Sequence, residues 1–424
     1  MKEDLFREFK LGSKVSKNRF VRSATNDHLS DPDGMLTEEQ QDLYEELAWN
    51  DVGLIITGHF GVSERYKTAF NQPLMSDDRF IPRAKVMADT AYYYGSLLYG
   101  QLSHGGLKAW KEPFDINKAT KEELGEVAEQ FASAAGRLAK AGFDGVQVHL
   151  AHGYLLSNVL DDTVNHRADE YGGSDENRFR LVKEIIDAIK GSCPADFGIL
   201  VKMNANDESC LAREQTAAPE RSALSSNSGN AAGNDSDLVS CGPAAGNDSD
   251  LVSCGNAAGN DSDLVSCGPA AGNDSDLVSC GPAARYDSHL VSYAKMLEAC
   301  GVDGIELSGA DFFCRDRNDR KYFLRQAILV KSAVDIPVIL VGGIASLEDM
   351  EEVIDSGIDM VAMSRPFITE PDLIPKLKSG RQSESRCLHC NSCYRIHATK
   401  HKNCVFLPES EKLGELYREM GTGS

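Results

Sequence analysis

Eight short apolar, β-rich runs recur along this chain with helical patterns between them, an alternation that builds a parallel sheet with crossover helices. The runs are Arg19 to Thr25, Gly53 to Gly58, Ser96 to Ser103, Gly145 to Leu150, Gly198 to Met203, Gly304 to Ser308, Pro337 to Gly342 and Met360 to Ser364. The stretch KEELGEVAEQFASAAGRLAKAGFDG spaces its apolar residues at three- and four-residue intervals and ends on a glycine-containing stop, as a helix between strands should. An open doubly wound sheet uses the same units. Eight of them, with polar residues clustered just after the strands where barrel active sites are built, favour a closed (β/α)8 TIM barrel.

A chain of 424 residues has room for such a barrel, which takes roughly 250 residues, and for insertions. With 42% hydrophobic and 26% charged residues it can bury a sizeable core, which excludes disorder throughout. A net charge of −21 argues against a nucleic-acid or anionic-membrane surface, since both need clustered Lys and Arg. Nearly half of that excess lies between Ala205 and Ala284, where 12 acidic and 2 basic residues leave −10. Here the unit G(N/P)AAGNDSDLVSC occurs four times from Gly229 to Cys280 at a period of 13 residues, and a degenerate fifth copy runs into the helix before the sixth strand. Each copy has only Leu and Val as sizeable apolar residues, too little for a solenoid core. Its cysteines, Cys241, Cys254, Cys267 and Cys280, have no nearby His or second Cys to complete a metal site. The expected organisation is a barrel over residues 1–378, interrupted by this low-complexity repeat insertion at 205–284 after strand five, and a Cys-rich extension over 379–424. No run is fit for a signal peptide or a membrane helix, so a cytoplasmic protein with reduced cysteines is expected.

The densest chemistry lies in GVQVHLAHGYLLSNVLDDTVNHRADEYGGSDENRFR. The fourth run ends at His149, and a short loop then presents His152 and Tyr154. Two imidazoles three residues apart can converge on one oxygen of a ligand, and a phenol two residues later can face the same cavity as a proton donor. The same three residues could instead pack as a buried His–Tyr cluster. Zinc is disfavoured, because the helical His-Glu-x-x-His pattern is absent and no third ligand is evident.

This segment resembles the Old Yellow Enzyme (NADH:flavin oxidoreductase) family, whose signature has the same His, His or Asn, Gly-Tyr-Leu and Asp-Glu-Tyr-Gly-Gly elements. The likeness runs from about Lys17 to Lys378, the repeats excepted. It implies an FMN lying across the barrel mouth, with His149 and His152 binding a carbonyl or nitro oxygen of the substrate and Tyr154 donating a proton. The run NRFVRSATN matches the family's first flavin segment, which implies Ser23, Ala24 and Thr25 along the ring and Asn26 where many members carry Thr or Cys. His28 falls where some members offer a substrate-side aromatic. Gly58 and His59 match a backbone contact to the flavin, and Gln101 in YGQLSHGG matches the amide that pairs with its pyrimidine edge. Lys202 matches a cation near that edge, usually Arg; a lysine inside an otherwise apolar strand is costly unless paired, which supports a functional role. The runs ILVGGIAS and VAMSRPFI match the phosphate site, implying Gly342, Gly343, Ser364 and Arg365.

Near the C-terminus, Cys387, Cys390, Cys393 and Cys404 have the spacing C-x2-C-x2-C-x10-C, close to runs that hold iron–sulfur clusters and compatible with a four-cysteine zinc site. The multidomain 2,4-dienoyl-CoA reductase branch of the family binds a four-iron cluster with a similar set, spaced one residue wider at two places. The chain ends 20 residues after Cys404, before the FAD- and NAD-binding domains which that branch carries. The resulting expectation is an FMN-dependent enzyme that takes hydride from NAD(P)H and reduces an α,β-unsaturated carbonyl or a related small molecule, as a monomer or a homo-oligomer. The alternatives are an iron–sulfur flavoprotein fed by a separate donor protein, and a catalytically silent barrel that binds flavin or another ligand.

Overall fold

Each of the eight apolar runs forms a strand. In this computed structural model, which describes residues 2–205, 282–309, 315–395 and 404, the strands are β1 (Phe20–Arg22), β2 (Leu54–Ile56), β3 (Leu97–Ser103), β4 (Gly145–Leu150), β5 (Gly198–Asn204), β6 (Gly304–Ser308), β7 (Val338–Val341) and β8 (Met360–Met363). Every neighbour pairs in parallel, and β8 returns to β1 with Ala362 opposite Val21, so the sheet closes. The open-sheet alternative is thereby removed. The repeat insertion expected at 205–284 lies outside the described residues except at its two ends. The tail of the degenerate fifth copy does enter a helix, Pro282–Ala299.

Helices follow the strands in turn: α1 (Glu38–Trp49), α2 (Ile81–Tyr93), α3 (Lys121–Ala141), α4 (Asp175–Ser192), α5 (Pro282–Ala299), α6 (Leu324–Lys331), α7 (Leu347–Asp355) and α8 (Leu373–Ser379). The longest, α3, shows why the sequence makes them. Thr120 and Glu123 form a reciprocal capping box at its start, Leu124, Val127, Phe131, Ala135 and Leu138 line its buried face, and Gly142 closes it in the left-handed conformation. None of the described helices is long and apolar enough to cross a membrane.

Because strand side chains alternate, each strand serves two cores. Outward residues such as Ile55, Leu98, Val146, Val148, Val201, Ile305 and Leu340 pack under the helices. Inward residues Val21, Leu54, Ile56, Tyr99, Leu200, Ile339 and Met360 fill the lower barrel, and Leu11 from an N-terminal hairpin (Phe9–Leu11 with Lys14–Ser16) joins them. Tyr99 is the largest plug, and a Cβ on Gly198 would lie 2.0 Å from its hydroxyl oxygen, so the ring needs a glycine on β5. A recurrent aspartate braces the lower rim: Asp144, Asp303 and Asp359, each just before an even-numbered strand, accept the backbone N–H of Leu98, Ile199 and Val338 at 2.9, 2.7 and 2.8 Å. Each satisfies a strand-end donor that the parallel ladder leaves over.

Candidate active site

Two residues further up the same strands the inward positions turn polar. Ser23, Gln101, Gln147, His149, Lys202 and Glu306 are all buried there. Above them a cavity open to solvent lies between the ends of β1, β5, β7 and β8, lined by Ser23, Ala24, Lys202, Gly342, Gly343, Ser364, Arg365 and His152 among others. Eight residues anticipated from sequence therefore share one cavity.

Gly342 and Gly343 line the cavity beside Arg365. Gly343 sits at φ +70, and a Cβ there would meet the Tyr322 ring at 2.5 Å, so the position needs glycine. Arg365 is held beside it by Asn391 Oδ1 at 2.6 Å and the Tyr322 hydroxyl at 3.2 Å. Lys202 donates to the Ser23 hydroxyl at 2.8 Å and pairs with Glu306 at 3.2 Å. A pair of glycines beside an arginine, with a buried lysine on the same cavity, is a donor set that fits a phosphorylated flavin.

His152 lies on the cavity wall and carries the acid–base group with it. Ring centroids separate His149 from His152 by 4.9 Å, His149 from Tyr154 by 5.1 Å, and His59 from Tyr154 by 5.2 Å. The N–H of Ala151 donates to His149 Nδ1 at 3.2 Å, so the proton of the neutral ring sits on Nε2. His152 adopts φ +64, costly for an L-residue, and its N–H is held by Asn204 Oδ1 at 2.9 Å while Nε2 meets the Ser308 hydroxyl at 3.0 Å. Burial depresses both imidazoles, with Lys202 and Lys108 adding repulsion: His152 falls to about 3 and His149 well below the ordinary histidine value. Burial pushes the Tyr154 phenol up to about 12, the Thr68 hydroxyl opposing it. Both imidazoles are thus neutral, and the tyrosine retains its proton.

The remaining anticipated residues stand around this core. Thr25 bonds to the Ser364 hydroxyl at 2.7 Å, joining β1 to β8, and Gln101 donates to Gln147 at 2.7 Å. Asn26 Oδ1 accepts the His28 N–H at 3.3 Å, and the His28 ring meets Asn71 at 3.4 Å, so both shape the loop after β1. Gly58 donates its N–H to the Tyr44 hydroxyl at 2.7 Å, and His59 Nδ1 is 2.7 Å from the Ser103 hydroxyl. Sequence reasoning did not single out Glu306, Gln147, Ser308, Tyr322, His389 or Tyr394. For Glu306 a signal existed, the same one that marked Lys202: a charge inside an apolar strand.

The four C-terminal cysteines singled out by their spacing come together at one place. Cys387, Cys390, Cys393 and Cys404 line a second cavity of about 310 Å³, with Arg365 and Thr369. All four are free thiols, and among the described residues no group of three or more His, Cys, Asp or Glu is placed to hold a metal ion. The segment is tied down elsewhere: buried Glu370 accepts Arg386 Nε at 2.9 Å, and Tyr394 bonds to Ser364 at 2.9 Å, bringing His389 and Tyr394 to the wall of the larger cavity.

Known proteins align with this architecture. The chain is 26% identical to an NADH oxidase of Thermoanaerobacter brockii over 98% of its own length and 58% of that protein's, so it spans little more than half of that relative. It is 24% identical to a 4,4'-dithiodibutanoate disulfide reductase of Rhodococcus erythropolis, covering 92% of each. A solved 2-naphthoyl-CoA reductase in complex with 2-naphthoyl-CoA shares the fold at a TM-score of 0.73 and 20% identity, over 97% of this chain and 58% of that one. The model of the NADH:flavin oxidoreductase / NADH oxidase family matches residues 4–119, 112–219 and 287–384, most of the chain outside the repeats. The chain belongs to the NADH:flavin oxidoreductase / NADH oxidase family.

Proposed function

We propose that this enzyme binds FMN and passes hydride from NAD(P)H to an activated carbon–carbon double bond of a small molecule. The observation that carries the reading is the cluster of neutral His149 and His152 rings with protonated Tyr154, of which His152 lines a cavity shared with Lys202, Gly342, Gly343 and Arg365. Ser23, Ala24, Thr25, Asn26, Gln101 and Lys202, with the backbone at Gly58 and His59, would hold the ring; Gly342, Gly343, Ser364 and Arg365 would hold the phosphate. FMN, when bound, supplies reversible two-electron chemistry between the nicotinamide and the substrate's β-carbon.

The chain's own residues do the rest. The His149 Nε2–H donates to the substrate's carbonyl oxygen, with His152 beside it, and these bonds strengthen as negative charge builds on that oxygen. Neither imidazole is acidic enough to compete as proton source, because each is already neutral. Tyr154 delivers its proton to the α-carbon, and a phenol held near pKa 12 is matched to so basic an acceptor while remaining protonated at neutral pH. A CoA thioester is the substrate class to try first, on the strength of the likeness to a 2-naphthoyl-CoA reductase. The C-terminal cysteines support a kinship with the 2,4-dienoyl-CoA reductase branch. Their shared cavity favours one second reading, an iron–sulfur flavoprotein fed by a donor protein, for which acid-labile iron in the purified protein is the test.

For the main reading, purified protein should carry flavin absorbance that NAD(P)H bleaches without oxygen and that 2-cyclohexenone or an enoyl-CoA restores. Protein that neither retains nor takes up FMN would contradict it.

A further inference from the structure

Glu306 has no part in the mechanism above, yet it is the only carboxylate in the polar ring of the described barrel interior and is fully buried, at 0% exposure. Three side chains meet it. The Ser23 hydroxyl donates to Oε1 at 2.6 Å, Gln147 Nε2 donates to Oε2 at 2.7 Å, and Lys202 Nζ lies 3.2 Å from Oε2. Lys202 also donates to Ser23, so cation, hydroxyl and carboxylate form one closed triangle. A buried carboxylate persists only when charge-matched and hydrogen-bonded, and here both conditions hold.

Two consequences follow for the cavity end where Lys202 stands. The lysine does not act there as a lone positive charge, because an equal negative charge is within ion-pair distance. The amides are also oriented. An ionised carboxylate only accepts hydrogen bonds, so Gln147 must turn its NH2 to Glu306 and its carbonyl towards Gln101. Gln101 in turn gives its own N–H to that carbonyl at 2.7 Å. The sense of the whole chain of amides is set from Glu306.

We propose that Glu306 is a positioning residue that sets the reduction potential of the bound flavin, by offsetting Lys202 and by fixing the direction of the Gln147–Gln101 pair. This rests on the FMN reading above. Uptake of hydride from NAD(P)H brings two electrons, one proton and one net negative charge into the site, with NAD(P)+ as the oxidised product. A Lys202–Glu306 pair favours that added charge less than Lys202 alone would, so Glu306 holds the potential down and keeps the reduced enzyme a strong hydride donor.

The test is the two-electron midpoint potential of FMN-loaded wild-type and Glu306→Gln protein, read by spectroscopic redox titration. The substitution is nearly isosteric, and the expected result is a shift to more positive potential equivalent to at least tenfold in the reduction equilibrium, about 30 mV for a two-electron couple. If that variant does not fold, the Lys202→Gln/Glu306→Gln double variant decides: its potential should stay within threefold of wild type in the same equilibrium, since both charges leave together. A flavin-loaded Glu306→Gln protein with unchanged or lowered potential, or a double variant that drops tenfold or more, overturns the proposal alone. Wild-type protein that takes up no FMN overturns both the proposal and the reading beneath it.

Discussion

Two residues along the same strands separate the floor of this barrel from its mouth, and the two layers are built on opposite principles. Val21, Tyr99 and Leu200 of the floor become Ser23, Gln101 and Lys202 of the mouth, while Gly145 and Gly304 give way to Gln147 and Glu306. The floor is apolar and close-packed around Tyr99, so its free energy comes from burial and shape. The mouth is equally buried but polar, and it is tenable only because its charges and amides satisfy one another. The first layer holds the barrel together; the second gathers neutral imidazoles and a paired cation beside the cavity. Stability and chemistry are thus separated by about 7 Å of strand.

The sharpest difference should appear on acidification. His149 and His152 in the mouth, and His104 packed beside Tyr66 and Phe114, have folded pKa values well below the unfolded value near 6.5, at about 3 for His104 and His152. Between those values the unfolded chain binds more protons than the folded one. The stability contributed is full above pH 6.5 and is lost as pH falls towards 3, at up to about 1.4 kcal/mol per pH unit for each histidine. Urea midpoints measured from pH 7 to 4 should fall steeply, and His104→Phe should flatten that slope, whereas a floor substitution should lower the curve without changing it.

Breaking the charge balance of the mouth comes next. Glu306→Leu strands Lys202 unpaired and should cost about 3–5 kcal/mol in chemical denaturation of the apoprotein. On the floor, Leu200→Ala should cost about 3 kcal/mol by leaving a cavity, with turnover per folded molecule unchanged. Smallest is the lower rim: Asp303→Ala removes the acceptor of the Ile199 N–H and should cost about 1–2 kcal/mol, visible as a modest fall in Tm.

The floor was the more legible layer in the sequence. All eight strands appeared as apolar runs because each is buried on both faces, and the structure shifts them only at the ends, as where Arg19 to Thr25 becomes Phe20–Arg22 and leaves Ser23 to Thr25 to line or brace the cavity. Leu11 was hidden because strands of three residues carry no periodicity. In the mouth, Lys202 was visible as a charge in an apolar strand, while Glu306, marked by the same contrast on β6, was passed over because the family resemblance assigned nothing to it. Tyr322, His389 and Tyr394 had no local signal at all; loops far apart in the chain bring them to the cavity, and only tertiary packing shows it. The cysteine spacing was legible in the sequence, and the four thiols do line one cavity.

The division of labour in the mouth is tested most directly by Tyr154→Phe in the FMN-loaded enzyme, with the two half-reactions followed separately by anaerobic stopped flow. NAD(P)H should reduce the variant's flavin at the wild-type rate, because hydride uptake needs no proton from Tyr154. Reoxidation by 2-cyclohexenone or an enoyl-CoA should slow by about 10²-fold or more, the range for loss of a positioned general acid. Equal slowing of both half-reactions, or none in reoxidation, would contradict the assignment of Tyr154 as proton donor.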